Sequence, residues 1–375
     1  MEMRAGKTPV LISSVVERGK QLKDTELLYE KIYGCLMGVG IGDAMGMPTE
    51  FLSLTQIREH FGEVRTFEPA PPWHPLAHLP AGNMTDDTEQ TLAIAKMIIE
   101  KPEFSVGDVA DAILQWAEEI APDDLDKMGP STNYALKHLR AGHDPHGTGL
   151  RGNTNGAAMR IAPIGCIHPG RPQDVIEDVL KTCIPTHLTD VAVAGASAVA
   201  AGVSEALGPD ADLDSIIEAM LWGAEEGEER AREAIRISTK GRIPWEVISS
   251  QINPSLMQRM KWAIELAEKT EGTLAQRRDV LVRSIGTGVL MIETVPLVVG
   301  LIKMAKGDPY TAIMLATNAG GDADSISSIV GGICGAFKGA SSFPEDLVRR
   351  FEMVNDVSLR SVAHSLTDRA AKKEQ

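Results

Sequence analysis

The chain has 375 residues, of which 43% are hydrophobic and 24% charged, so it can bury a sizeable core and is neither disordered nor fibrous. A formal net charge of −15 repels phosphate backbones and argues against sequence-independent nucleic-acid binding. Aromatic residues make up only 4%, while Ala, Gly, Leu and Met are plentiful, a mixture that suits close-packed helices better than sandwiches or barrels.

Residues 1–24 read as an N-terminal arm. From Leu27 the apolar spacing predicts an amphipathic helix that runs into the glycine-rich stretch 38–46 and then Pro48, Thr49 and Glu50. Five prolines in residues 67–82, with Trp73, His74 and His78, predict a long loop. A helix starts abruptly at Thr85-Asp86-Asp87-Thr88, and others are expected over 106–119 and 132–141. Residues 142–155 form a second loop, rich in Gly, Asn and His. Helices follow over 174–183, 190–207, 223–240 and 253–270, and apolar helices over 280–304 and 309–316. A loop over 318–325 opens a final buried helix at 326–337. No segment alternates with period two, so the expectation is an all-α, single-domain bundle over 25–365 with a tail at 366–375.

The four cysteines, Cys35, Cys166, Cys183 and Cys334, form no CxxC pair, which speaks against a disulfide framework or a zinc site and suits a cytoplasmic location. The first twenty residues lack the apolar core of a signal peptide. The most apolar stretch, 289–304, is interrupted by Glu293, Pro296 and Lys303, so no membrane association is expected.

Two segments place acids where helices begin: Thr85-Asp86-Asp87-Thr88, and Asp322-Ala323-Asp324-Ser325 after Gly320-Gly321. Helix capping explains one oxygen at each start. It leaves a second carboxylate and a hydroxyl over, and buried like charges are costly unless a cation neutralises them. Oxygen donors without Cys or His select hard cations such as Mg²⁺ or Mn²⁺. An EF-hand is excluded, because Ile326 and Ser327 stand where a ligand and the turn glycine belong and Ile333 holds the twelfth position. Glu50 is a third carboxylate after a glycine-rich helix end, either solvated or functional. Asn153, Asn155 and Gly156 precede a helix and are either an ordinary turn or a cradle for phosphate or sugar. Met159 and Arg160 follow directly, and His187 with Asp190 orients a substrate or caps a helix.

Taken in order, Gly34-Cys35-Leu36-Met37-Gly38 with Gly42-Asp43-Ala44-Met45-Gly46 and Glu50, Thr85-Asp86-Asp87-Thr88, Gly156-Ala157-Ala158-Met159-Arg160-Ile161-Ala162-Pro163, Thr186-His187, Glu293-Thr294 with Pro296, and Gly320-Gly321-Asp322-Ala323-Asp324-Ser325 resemble the ADP-ribosylglycohydrolases, typified by the dinitrogenase reductase-activating glycohydrolase. The resemblance implies an orthogonal helical bundle with two Mg²⁺ or Mn²⁺ ions. It assigns Thr85, Asp86, Asp87, Asp322, Asp324 and Ser325 as ligands, and Glu50 as a mobile acid beside them. Asn153, Asn155, Gly156, Met159, Arg160 and His187 become candidates for substrate contact, and Glu50, Asp86 and Asp322 for the general base. Two departures stand out: Asp-Ala-Asp-Ser where members often carry Asp-Thr-Asp-Thr, and a glycine loop lengthened by Thr154-Asn155. The implied activity is hydrolysis of a ribosyl glycosidic bond, most directly of ADP-ribose from a modified protein or small molecule. The alternatives are a small-molecule N-ribosidase acting without ADP and a non-catalytic, crystallin-like relative.

Overall fold

The computed structural model describes residues 9–120, 128–242 and 255–373, with side chains from residue 25 onward. Among these residues the secondary structure is helical apart from one isolated bridge between Thr154 and Leu290. The longer helices are α1 (Pro9–Gly46), α2 (Leu54–Phe61), α3 (Asp86–Glu100), α4 (Val106–Glu119), α5 (Pro130–Arg140), α6 (Ile176–Cys183), α7 (Asp190–Ala206), α8 (Leu213–Ser238), α9 (Leu256–Lys269), α10 (Leu274–Ile285), α11 (Met291–Met304), α12 (Pro309–Thr317), α13 (Ala323–Lys338), α14 (Glu345–Asn355) and α15 (Leu359–Lys373). The expected arm, 1–24, lies outside the described side chains, and residues 1–8 lie outside the described residues.

The axis of the bundle is the contact of α1 with α13. Gly34, Gly38, Gly42 and Gly46 recur every four residues and line one face of α1. The antiparallel α13 answers with Gly335, Gly331, Ser327 and Ala323. The backbones touch: a Cβ at Gly38 would lie 2.0 Å from the Gly331 carbonyl oxygen, and one at Gly42 2.1 Å from that of Ser327. On the α1 side only glycine permits that approach, so the glycine-rich motif brings the C-terminal end of α1 against the N-terminal end of α13. On another face of α1, Gly40 receives the Phe351 ring of α14, which is fully buried.

Several expected boundaries move. The apolar run 280–304 is two helices: Gly286, at φ 95°, ends α10, and α11 begins only at Met291. The break serves the loop before α13, because the Thr287 carbonyl accepts the Asp322 N–H at 2.7 Å. Helix α8 starts at Leu213, ten residues before the expected 223, set by a capping box between Asp212 and Ser215. The helix at 326–337 is not the last, for α14 and α15 follow. Helix α15 also runs past residue 365 to Lys373 with Leu366, Thr367 and Ala370 buried, so the stretch expected as a tail packs as a helix through Lys373. The proline-rich loop carries no helix, and it closes on a small apolar cluster of Met47, Ala70 and Leu76.

Candidate active site

The site forms where three backbone segments meet. At the C-terminal end of α1, the turn after Thr49 is tied to the loop before α13: Phe51 N–H donates to the Gly321 carbonyl at 2.7 Å, and Gly321 N–H to that of Leu52 at 3.0 Å. Gly320 and Gly321 have φ of 71° and 68°, and a Cβ at Gly320 would lie 2.1 Å from the Leu52 oxygen, so glycine is required there by conformation and by space. The third segment is the start of α3.

Thr85 and Asp322 occupy the N-cap positions of α3 and α13, yet neither side chain makes a capping hydrogen bond. Capping of α3 is done from outside by Asp43 of α1. Its Oδ2 accepts the Thr85 N–H at 2.9 Å and the Thr88 N–H at 3.1 Å, and its Oδ1 accepts the Thr85 hydroxyl at 2.6 Å. Thr85 therefore donates its proton to Asp43 and keeps its oxygen lone pairs for another partner. The acids of the first turn are likewise spared from capping.

Asp86, Asp87, Asp322 and Asp324 are all buried, as are Thr85 and Ser325. Carboxylate oxygens of Glu50, Asp322 and Asp324 lie within 4.8 Å of one another. The Ser325 hydroxyl donates to Asp87 Oδ2 at 3.3 Å, joining the two clusters across 238 positions of sequence. Gln90 Nε2 donates to Asp86 Oδ2 at 2.9 Å, and the Asn155 amide donates to Asp322. Asp87 Oδ1 is buried without a hydrogen-bond partner.

The charges here oppose each other. Burial, then Asp324, Asp322, Asp86 and Asp43, push the Glu50 carboxyl well above its usual range. Burial first and then neighbouring carboxylates do the same to Asp86, Asp87 and Asp324. Burial raises Asp322 to about 6, although hydrogen bonds from Asn155 and Ser325 pull it back. Hard oxygen donors, mutual repulsion and an unpartnered buried oxygen fit a binding site for hard cations.

The residues expected at the substrate divide. The loop before the short helix Gly156–Met159 is clipped to the α10–α11 connection: Asn155 N–H donates to the Val289 carbonyl at 2.9 Å, and Met291 N–H to that of Asn153 at 3.1 Å. Asn155 reaches Asp322 and also donates to Thr294 at 2.9 Å, which brings it to the acids. Met159 sits beside them, its sulfur 3.9 Å from the Ser325 hydroxyl. Gly156 leaves room for His187, since a Cβ there would lie 3.0 Å from the imidazole.

Arg160 and His187 are fully buried and engaged inside the protein. The Arg160 guanidinium donates to Gln90 at 2.6 Å and to Thr186 at 2.5 Å, and burial lowers its pKa to about 10. His187 bonds Thr154 through Nε2 at 3.1 Å and Thr186 through Nδ1 at 2.8 Å. No bond links His187 to Asp190, and Thr189 caps α7. Arg160 and His187 thus brace Gln90 and the 153–156 loop from behind. Asp43, which caps α3, is a lone acid in a glycine-lined, otherwise apolar helix end, and that placement is its only signal in the sequence.

A family model described as ADP-ribosylglycohydrolase matches residues 24–375. The chain is 31% identical over 348 residues to the uncharacterized Escherichia coli (strain K12) protein YegU, covering 92% of this chain and 98% of that one. It is 27% identical over 331 residues to the ADP-ribosylhydrolase ARH3 of Bos taurus, with 83% and 86% covered. Among solved structures, an "ADP-ribosylglycohydrolase-related protein complex" superposes with a TM-score of 0.64 at 23% identity, over 92% of this chain and 99% of that chain, a likeness of fold. With a family-model match over nearly the whole chain and a relative 31% identical along its length, this all-α chain belongs to the ADP-ribosylglycohydrolase family.

Proposed function

We propose that this chain hydrolyses the glycosidic bond at the anomeric carbon of an ADP-ribosyl group attached to a protein or small molecule, with two Mg²⁺ or Mn²⁺ ions held by Thr85, Asp86, Asp87, Asp322, Asp324 and Ser325. The observation that carries the reading is the convergence of the Glu50, Asp322 and Asp324 carboxylates, beside an α3 whose start is capped by Asp43 rather than by its own acids. Two hard cations, when bound, supply Lewis-acid polarisation of ribose hydroxyls and of a water.

The protein's own groups do the rest. Asp43 fixes Thr85, and Gln90 fixes Asp86, so each candidate ligand is oriented by a neighbour. Asn155 holds Asp322 and ties the substrate loop to the acids. Glu50, Asp86 and Asp322 are the candidates for the general base that takes the proton from the attacking water. The carbon–nitrogen or carbon–oxygen bond to the leaving group breaks as water adds to the anomeric carbon, and the leaving group recovers a proton.

A small-molecule N-ribosidase remains the second reading, favoured by one observation: Arg160 spends its charge on Gln90 and Thr186 rather than on a diphosphate. The exposed Arg151, stacked 5.4 Å over the Tyr134 ring in the neighbouring loop, offers a cation for the first reading instead. The four cysteines are buried and free, in keeping with a cytoplasmic enzyme that uses no thiol nucleophile. No helix among the described residues is long and apolar enough to cross a membrane. The deciding experiment measures turnover of ADP-ribosyl-arginine, ADP-ribosyl-serine and a nucleoside panel, with Mg²⁺ or Mn²⁺ and with excess chelator. ADP-ribose release that requires a divalent cation is expected. Nucleoside hydrolysis alone would overturn the ADP-ribosyl assignment, and full activity in chelator would overturn the metal assignment.

A further inference from the structure

Arg160 is fully buried, yet neither group that accepts its hydrogen bonds is a carboxylate. One Nη donates to Gln90 Oε1 at 2.6 Å and the other to Thr186 Oγ1 at 2.5 Å, while Nε is enclosed without a partner. A guanidinium carries N–H donors in a fixed fork and no acceptor, so it dictates which way every hydrogen bond it touches must run. Both of these bonds are the first links of longer chains.

The first chain is short. Gln90 must turn its carbonyl oxygen to Arg160, which leaves its amide N–H groups for the other side, and there Nε2 donates to Asp86 Oδ2 at 2.9 Å. In the reversed amide, donors would meet the guanidinium and an oxygen would meet a carboxylate. Arg160 excludes that arrangement and keeps a donor on Asp86.

The second chain is longer. Thr186 Oγ1 accepts from Arg160 and lies 2.8 Å from His187 Nδ1, and His187 Nε2 lies 3.1 Å from Thr154 Oγ1. Burial, then the charge of Arg160, hold the His187 pKa well below its usual value, so the ring is neutral and only one nitrogen carries a proton. A proton on Nδ1 would be donated to Thr186. The Thr186 hydroxyl, already facing the donors of Arg160, would then hold a buried proton with no acceptor among the described residues. With the proton on Nε2 that problem disappears: Thr186 donates to Nδ1, and Nε2–H donates to Thr154. The unmatched proton is now that of Thr154, in the loop whose Asn155 reaches Asp322.

We propose that Arg160 is a positioning residue that sets the direction of both chains. Through Gln90 it holds an amide donor on Asp86, and through Thr186 it fixes His187 as the Nε2–H tautomer and leaves the Thr154 hydroxyl to donate within the 153–156 loop. The Gln90 branch deepens the proposed function and rests on its reading of Asp86 as a cation ligand. The tautomer of His187 does not depend on that reading.

The test reads the two branches separately. NMR of nitrogen-labelled, metal-free protein reports which ring nitrogen is protonated, and His187 is the one histidine preceded by a threonine, so pairwise labelling singles it out. The wild type should show Nε2–H and a bare Nδ1. Arg160→Gln puts an amide, which can accept as well as donate, beside Thr186; the direction is lost and an Nδ1–H population should appear. Gln90→Met keeps the length of the side chain and removes the donor to Asp86. It should leave the tautomer alone and lower Mn²⁺ affinity, read by calorimetry, about 10–100-fold, the range for a group that orients a ligand. An Nδ1–H ring in the wild type would overturn the proposal. So would wild-type Mn²⁺ affinity in Gln90→Met, or an Arg160→Gln protein that melts earlier with the Nε2–H tautomer intact, which is the mark of a purely structural arginine. Should Arg160→Gln fail to fold, the wild-type ring and Gln90→Met still decide. A wild type that binds no Mn²⁺ would end the cation reading instead, and the tautomer would judge Arg160 by itself.

Discussion

Gly34 and Gly46 lie at opposite ends of one helix seam, about 18 Å apart along α1. They provide a matched pair of perturbations. A methyl group at Gly34 would lie 2.4 Å from the Gly335 carbonyl oxygen, and one at Gly46 2.4 Å from that of Ala323. Contacts of this kind are essentially never closer than 3.0 Å, so either alanine must part the helices by at least about 0.6 Å. Overpacking of this sort costs about 1–3 kcal/mol, and the better helix propensity of alanine returns up to about 1. A net loss of about 1–2 kcal/mol is expected for both variants, read as similar shifts in urea midpoint. Their effects on the site should differ. The Gly46 methyl also lies 2.5 Å from the Asp324 Cα, so it displaces a proposed ligand directly. Site geometry tolerates only about 0.5 Å, and even changes in the groups that orient ligands cost about 10–100-fold in metal affinity. Calorimetric titration with Mn²⁺ should show at least a tenfold loss for Gly46→Ala and little change for Gly34→Ala. Equal Mn²⁺ affinity in the two variants would refute the claim that the seam sets the positions of the acids.

The other expectations follow from the same geometry. Asp324→Asn should lower metal affinity by about 10–100-fold and be partly rescued by excess Mg²⁺, whereas Glu50→Gln should lower kcat by roughly 10²-fold without rescue; activity against Mg²⁺ concentration separates them, and two curves shifted alike would make Glu50 an ordinary ligand. Mg²⁺ or Mn²⁺ at about 100 times its Kd should stabilise the fold by about 2.7 kcal/mol and raise Tm, and an unchanged Tm would deny that the cluster binds the ion in the folded state. Burial pushes the Asp178 carboxyl up, but hydrogen bonds from His168, Lys181 and Lys373 outweigh it and hold its pKa well below the usual range. Its folded pKa is depressed, so the unfolded chain binds the proton more tightly; the contribution is present above the unfolded value of about 3.9 and lost as pH falls below it. Asp178→Asn should therefore flatten the acid limb of stability against pH, with its effect largest above about pH 5.

What could be read in the sequence was whatever local chemistry fixes. Helix α4 falls on the expected residues because Ser105 and Asp108 form a capping box at its start. The acid clusters were visible because two carboxylates and a hydroxyl exceed what a cap needs. The division of 280–304 was hidden, since apolar periodicity continues across it and the break is decided by Thr287 meeting Asp322, a contact between distant segments. Helix α14 buries only Leu347 and Phe351, too few to raise a periodic signal, and its place depends on the socket above Gly40. Arg160 and His187 look like substrate groups in a motif; only the fold shows that both are buried and bonded to Gln90, Thr154 and Thr186.

The fold and the site impose opposite demands on the same residues. The α1–α13 seam and the bonds of Phe51 and Gly321 hold Glu50, Asp322 and Asp324 together, although Asp324 and Asp322 raise the pKa of Glu50 and Asp322 raises that of Asp324. The positive N-terminal ends of α3 and α13 offset part of that repulsion, because both acid clusters sit in first turns. Helix dipoles contribute only about 0.3–2 kcal/mol each, too little to neutralise buried carboxylates that are several-fold in excess. The packing of α1 against α13 opposes the rest, because glycine lets the two backbones touch there. If cations bind at these acids as proposed, binding releases repulsion already present, so affinity should depend on how tightly the seam is closed as much as on which ligands line it.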